Sequence, residues 1–209
     1  MNDILSAFLL VYAGLFPVVN PLGMAPLFLS LTQDCTDEQR NRLARGVAVN
    51  SFWLLLTTML GGSLILEAFG ITVSVVRVAG GLLVAAMGWR LLNDGGGPAE
   101  HKSEHAGPAE AFYPLTLPLT VGPGSIAVAI TFGSHRPEGP QFLLQISAAI
   151  AGLLAIAATI YVCYRFAERL AQALGENGVN VLIRLSAFVL ICIGIQICWS
   201  GIKALIATV

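Results

Sequence analysis

Three prolines and a glycine fall within eleven residues near the start of the chain, Phe16-Pro17-Val18-Val19-Asn20-Pro21-Leu22-Gly23-Met24-Ala25-Pro26, inside an otherwise apolar stretch. Proline removes a backbone donor and its ring clashes with the preceding turn, so this run predicts a helix broken within the stretch. The device recurs in Pro114-Leu115-Thr116-Leu117-Pro118-Leu119-Thr120-Val121-Gly122-Pro123-Gly124-Ser125, where Pro118 and Gly124 repeat the P-x5-G spacing of Pro17 and Gly23. Pro17, Pro21, Pro26, Pro118 and Pro123 leave carbonyls upstream without helical partners, and the amides that open each second half-helix, around Gly23 to Ala25 and Gly124 to Ile126, are released as well. Free amides at a helix start attract an anion and free carbonyls at a helix end attract a cation, so two such breaks together suit a zwitterion. The candidate binding residues are Asn20, Gly23, Met24, Thr120, Gly122, Gly124 and Ser125. The side chains of Asn20, Thr120 and Ser125 either orient a ligand or merely cap the half-helices.

The elements that must position these breaks are membrane spans. The chain has 209 residues, of which 56% are hydrophobic and 11% charged. That is too little polar surface for a water-soluble globule, and lipid must cover much of it. Apolar stretches run from about Ile4 to Leu31, Gly46 to Phe69, Ile71 to Leu92, Phe112 to Ser134, Phe142 to Tyr164 and Val179 to Ile206. The expected fold is an all-α membrane protein of six transmembrane helices, with the first and fourth discontinuous. At 1.5 Å per residue, Ile4 to Phe16 measures about 20 Å and Met24 to Leu31 about 12 Å, so only together do they cross about 30 Å of hydrocarbon.

Residues 1–93 form a first three-helix repeat, 94–111 a Gly-, Pro- and charge-rich cytoplasmic linker, and 112–209 a second repeat. Three spans is an odd number, so the second copy enters the membrane in the opposite sense, giving a 3+3 inverted repeat within a single membrane domain. Val76-Arg77-Val78 and Ile183-Arg184-Leu185 mark the third helix of each copy. Arg77 and Arg184 are read as possible structural or pathway charges, which either snorkel to the interface or bond the carbonyls of the broken helices. Arg40, Arg42, Arg45, Arg90, Lys102, Arg165 and Arg169 flank one side of the spans and only Arg136 and Lys203 the other. This bias places both termini outside, in an inner (cytoplasmic) membrane. The apolar start lacks a basic n-region and a cleavage site, so it is expected to remain in the mature protein.

Other chemistries find little support. A net charge of −1 without basic runs gives no footprint for nucleic acid. His101, His105 and His135 stand in Gly- and Pro-rich loops, and Cys35, Cys163, Cys192 and Cys198 have no ligand spacing, so neither metal nor cofactor is expected and the cysteines read as buried small hydrophobes. The sequence holds no HExxH, GxSxG or paired intramembrane carboxylates, which argues against an enzyme. Asn50 and Gln196 read as interhelical hydrogen-bonding groups, and Trp53, Trp89, Trp199 and Tyr113 as interface anchors. Matching breaks in corresponding positions of two repeats point to a transport site at the repeat interface, and the absence of fixed charge deep in the spans other than the two arginines points to a neutral substrate. The competing reading is a non-transporting assembly or regulatory component of the membrane. Oligomeric state and coupling ion leave no mark in the sequence.

Asn20-Pro21-Leu22-Gly23-Met24-Ala25-Pro26-Leu27-Phe28, Arg77-Val78-Ala79-Gly80-Gly81 and Pro118-Leu119-Thr120-Val121-Gly122-Pro123-Gly124-Ser125-Ile126 together resemble the MarC family, over essentially the whole chain. The resemblance extends to SnatA-type members, which implies an exporter of small neutral amino acids such as glycine and alanine, with lipid as its surroundings. Ser125 stands where the family loop usually carries alanine, which adds a hydroxyl near the implied site.

Overall fold

The computed structural model describes residues 2–94, 109, 111–134 and 141–207. The three histidines, Lys102 and Arg136 lie outside them, as does most of the expected linker. Helix α1 (Asn2–Val19) runs through Pro17, stops at Asn20, and gives way to α2 (Pro21–Leu31), inclined to it by 41°. Helix α3 (Asp37–Ala68) and α4 (Val73–Asp94) complete the first half. The second half begins with a wide-turned helix, α5 (Ala111–Thr120), followed after a 75° bend by α6 (Pro123–Ser134), and then by α7 (Gln141–Arg165) and α8 (Ala167–Ile206). Among the described residues four helices are long and apolar enough to cross a membrane singly, and counting each bent pair as one span gives the six that the sequence predicts.

Several boundaries differ from expectation, each for a local reason. The basic residues Arg40, Arg42 and Arg45 stand not in a loop but on the first turns of α3, which starts nine residues before the apolar stretch at Gly46. Thr36 starts that helix with a capping box, its hydroxyl accepting from the Gln39 amide and its own amide donating to Gln39 Oε1. Asp37 and Glu38 in the first turn add favourable charge there. At the other end of the second half, a single residue, Phe166, separates α7 from α8. Gly175, with φ 65°, then bends α8 ahead of the expected span, a conformation that suits glycine.

The side chains sort as the bilayer requires. Leu15, Phe28, Leu55, Leu115, Leu153, Ile156 and Leu190 fill the interior, while Leu5, Leu10, Leu64, Leu82, Val181, Leu185, Phe188 and Ile195 face outward. An apolar exterior is stable only in lipid. Trp53, Trp89, Trp199 and Tyr113 are exposed too, in keeping with anchors. Cys192 is exposed rather than buried, and Cys35, Cys163 and Cys198 are half-buried.

Helices α4 and α8 form the most extensive pairing, antiparallel, with backbones in contact. A Cβ on Gly81 would lie 2.6 Å from Gly194 O, and one on Gly194 2.6 Å from Gly81 O. A Cβ on Gly88 would meet Ala187 O and Ile191 N, and one on Gly201 would meet Ser74 O and Val78 N. These contacts are reciprocal if residue n of α4 corresponds to n plus 113 in α8, so Gly81 and Gly88 answer to Gly194 and Gly201. Around this pair the remaining helices alternate between halves: α1 lies on α7 and α5 on α3, α3 on α6 and α2 on α7, α6 on α4 and α2 on α8. Each of these pairings has its counterpart when the halves are exchanged, whereas the contact of α1 with α8 has none of similar extent.

Candidate functional site

The first break is made by one residue. Asn20 takes a left-handed conformation (φ 50°, ψ 55°), its amide closes α1 onto Phe16 O at 2.8 Å, and its carbonyl accepts the Met24 amide at 3.0 Å as the first bond of α2. Its Oδ1 accepts the Gly23 amide at 3.2 Å, a side-chain cap. Pro21 occupies the first helical position, where a missing N–H costs nothing. With that amide absent and the Gly23 amide turned to Asn20, the carbonyls of Pro17 and Val19 lose the partners a continuous helix would give them. Asn20 Nδ2 is buried without a hydrogen-bond partner. It lies over Gly23, beside the Ser186 hydroxyl of α8, and a side chain at position 23 would collide with both. Pro17 and Pro26, expected to help break the chain, sit within α1 and α2 instead, because a helix tolerates a single lost bond with a kink.

The second break has no such cap. Tyr113 and Leu117, each ahead of a proline, are extended (ψ 126° at both), as the proline ring demands of its predecessor. The turns around them widen so that bonds reach back five residues: Val121 N to Thr116 O at 2.8 Å, Thr116 Oγ1 to Ala111 O at 2.6 Å and Thr120 Oγ1 to Leu115 O at 2.7 Å. Pro123 opens α6, whose first bond joins the Ile126 amide to Gly122 O at 3.2 Å. Ser125 Oγ donates to the same carbonyl at 2.9 Å. Gly122 offers no side chain, so the amides of Gly124 and Ser125, at the start of α6, receive no side-chain cap among the described residues. Both residues are buried, and Gly124 is pressed against Val84 of α4.

The half-helices correspond through the prolines that open them, Pro21 with Pro123, and through their first bonds, Met24 to Asn20 and Ile126 to Gly122. This register is one residue out of step with the P-x5-G match. The wide turns of α5 take up the extra residue. The paired arginines fare worse. Under the glycine correspondence of α4 and α8, Arg77 and Arg184 are six positions out of register. Arg77 Nε donates to Thr131 Oγ1 of α6 at 3.3 Å, away from the break carbonyls, whereas Arg184 is exposed. Asn50 and Gln196 make no hydrogen bond among the described residues, and Gln196 faces outward.

Sequence reasoning missed the residue that joins the two breaks. Tyr164 of α7 is fully buried; its ring stacks on Phe28 of α2 with centroids 4.4 Å apart, and its hydroxyl lies 2.8 Å from Thr120 Oγ1. Thr120 has one proton, which the Leu115 carbonyl must receive, so Tyr164 is the donor to Thr120. A phenol in an apolar span demands a partner, and that was the available signal. Nearby, Tyr161 donates to Asn41 Oδ1 at 3.0 Å. Arg40 joins Glu168 at 3.0 Å while its other nitrogen donates to the carbonyls of Thr32 and Cys35. These contacts bring the α2–α3 turn and the α7–α8 corner to one end of the molecule.

Comparison with known proteins bears on this arrangement. A family model described as "MarC family integral membrane protein" matches residues 5–206. The chain is 32% identical to the UPF0056 inner membrane protein MarC of Salmonella typhimurium (strain LT2), covering 100% of this chain and 99% of the relative. It is 29% identical to the UPF0056 membrane protein YvbG of Bacillus subtilis (strain 168), over 93% of each. No solved structure matches.

Proposed function

We propose, from the premise that this chain belongs to the MarC family of integral membrane proteins, that it is a secondary transporter exporting small neutral amino acids of the glycine and alanine type across the inner membrane. The observation that carries this reading is the second break: two buried, uncapped amides, at Gly124 and Ser125, open a helix inside the protein. Such a helix start favours a carboxylate. The carbonyls of Pro17 and Val19, stripped of their helical partners, are acceptors for an ammonium group, and Asn20 Nδ2 is an unused donor beside them.

The exchange of helix pairings between halves supports an inverted repeat, in which the α1–α2 and α5–α6 spans enter from opposite faces and the two halves rock about the α4–α8 pair. The basic turns of α3 and the α7–α8 corner lie at one end, and on the positive-inside rule that end is cytoplasmic and both termini are outside. The protein performs no covalent step in this reading and needs no cofactor.

Purified protein in liposomes, loaded with each neutral amino acid in turn and tested with and without proton and sodium gradients, should move glycine or alanine faster than protein-free vesicles. Flux indistinguishable from empty vesicles for every substrate would overturn the proposal in favour of an assembly or regulatory component.

A further inference from the structure

We propose that Tyr164 is the gate residue of this molecule: it couples the two broken spans and closes the route between them at the end formed by the α2–α3 turn and the α7–α8 corner. The argument starts from what the side chain joins. Its ring stacks on Phe28, in α2 behind the first break, and its hydroxyl donates to Thr120, the last residue of α5 at the second break. Helices α2 and α5 touch each other only slightly, so this one residue supplies the main directional link between them. Phe28 and Tyr164 are both fully buried, and a stacked aromatic pair of this size leaves no passage through the space it fills.

The position of the pair gives it a side. One turn beyond Tyr164, Glu168 is held by Arg40, which also binds the carbonyls that follow α2; three residues before it, Tyr161 is held by Asn41. Three contacts between the halves, Phe28–Tyr164, Asn41–Tyr161 and Arg40–Glu168, therefore fall within eight residues of the α7–α8 corner. The stack lies between the Arg40 ion pair at the surface and the uncapped α6 amides within. Opening this end by a movement between the halves requires the Phe28–Tyr164 stack to separate, while the bond to Thr120 within the second half holds the Tyr164 ring in the stacking position. The stack, made or parted, is a two-state element of the kind alternating access needs.

The test reads accessibility and does not depend on knowing the substrate. In full-length protein with Cys35, Cys163, Cys192 and Cys198 replaced by serine or alanine, Ser125→Cys serves as a reporter at the start of α6. Its modification by a membrane-impermeant maleimide is timed in right-side-out and in inverted vesicles. Tyr164→Phe keeps the stack and removes the bond; it should speed modification about fivefold, the population shift worth one net hydrogen bond. Phe28→Ala should speed it further. The acceleration should appear from one face only, the face of the α2–α3 turn.

Unchanged rates in both variants would overturn the gate, and so would equal acceleration from both faces, which signals general loosening. A second reporter, Asp34→Cys on the exposed turn between α2 and α3 and outside the spans, should keep its labelling rate in every variant. The proposal rests on the transporter reading only in supposing a route to the breaks. One-sided acceleration without amino-acid flux would leave the gate standing and defeat the substrate assignment, whereas flux with unchanged accessibility would do the reverse.

Discussion

The two breaks arise from similar proline-bearing sequence and end in different chemistry. At the first, one residue in a left-handed conformation turns the chain through 41° and caps the next helix with its own side chain. At the second, the chain turns through 75°, with widened turns before the bend and no side-chain cap after it. The first break thus spends the Gly23 amide on Asn20 and leaves a buried side-chain nitrogen without a partner, while the second leaves its backbone amides for another partner. An anion is better served by the second break than by the first.

The largest effect should come where the second break is packed tightest. A Cβ at position 124 would overlap the Val84 side chain, so Gly124→Ala should lower stability by about 2 kcal/mol, the usual cost of overfilling a well-packed interior. Thermal unfolding in detergent would register it, and Val84→Ala in the same protein should restore most of the loss. Failure of that rescue would mean that α6 and α4 do not approach at this point.

The next effect separates the breaks most directly, since Asn20 and Gly122 occupy corresponding positions. Asn20→Ala removes the cap and forces alanine into a left-handed conformation, at about 1 kcal/mol for each. Gly122→Ala should change stability by less than about 0.5 kcal/mol, because its φ is not left-handed and the nearest atom to an added Cβ is Pro118 O at an ordinary 3.5 Å. Equal losses at the two positions, in the same unfolding assay, would erase the distinction drawn between them.

Much of this architecture is legible in the sequence because the bilayer sets the rules. A span needs about twenty apolar residues, and prolines at the starts of half-helices announce where backbone bonds must be lost. Register is harder. The repeated P-x5-G suggests one alignment, yet a wide turn can absorb a residue without any mark in composition, and the first bonds of α2 and α6 fix another. Arg77 and Arg184 look like partners because arginine is rare in a span, but backbone contact at Gly81, Gly88, Gly194 and Gly201 determines how α4 and α8 correspond. Tyr164 escaped notice for a different reason: its partners, Phe28 and Thr120, are far apart in the chain and only packing brings them together.

A smaller effect tests whether the hydroxyls of the second break serve the fold or a ligand. Ser125 Oγ is committed to Gly122 O, and Thr120 Oγ1 to both Leu115 O and the Tyr164 hydroxyl. Ser125→Ala should cost about 0.5 kcal/mol and leave flux within about twofold if the α6 amides hold the substrate, since the backbone is untouched. Thr120→Val should cost about 1.5 kcal/mol, because it removes one bond and leaves the Tyr164 hydroxyl without its acceptor. A drop in flux much beyond twofold for Ser125→Ala, at unchanged stability, would assign the hydroxyl itself to the ligand.

The smallest expected difference concerns the two arginines. Lysine keeps the charge and the reach but has no Nε donor, so Arg77→Lys loses the bond to Thr131 and should lower stability by about 0.5 to 1 kcal/mol. Arg184 is exposed, and its replacement by lysine should be within measurement error, since a snorkelling side chain needs only length and charge. Equal losses would restore Arg77 and Arg184 as a matched pair and require α4 and α8 to correspond six residues away from their glycine contacts. Unequal losses leave the glycines as the contacts that determine how α4 and α8 correspond, with the arginines placed independently in each half.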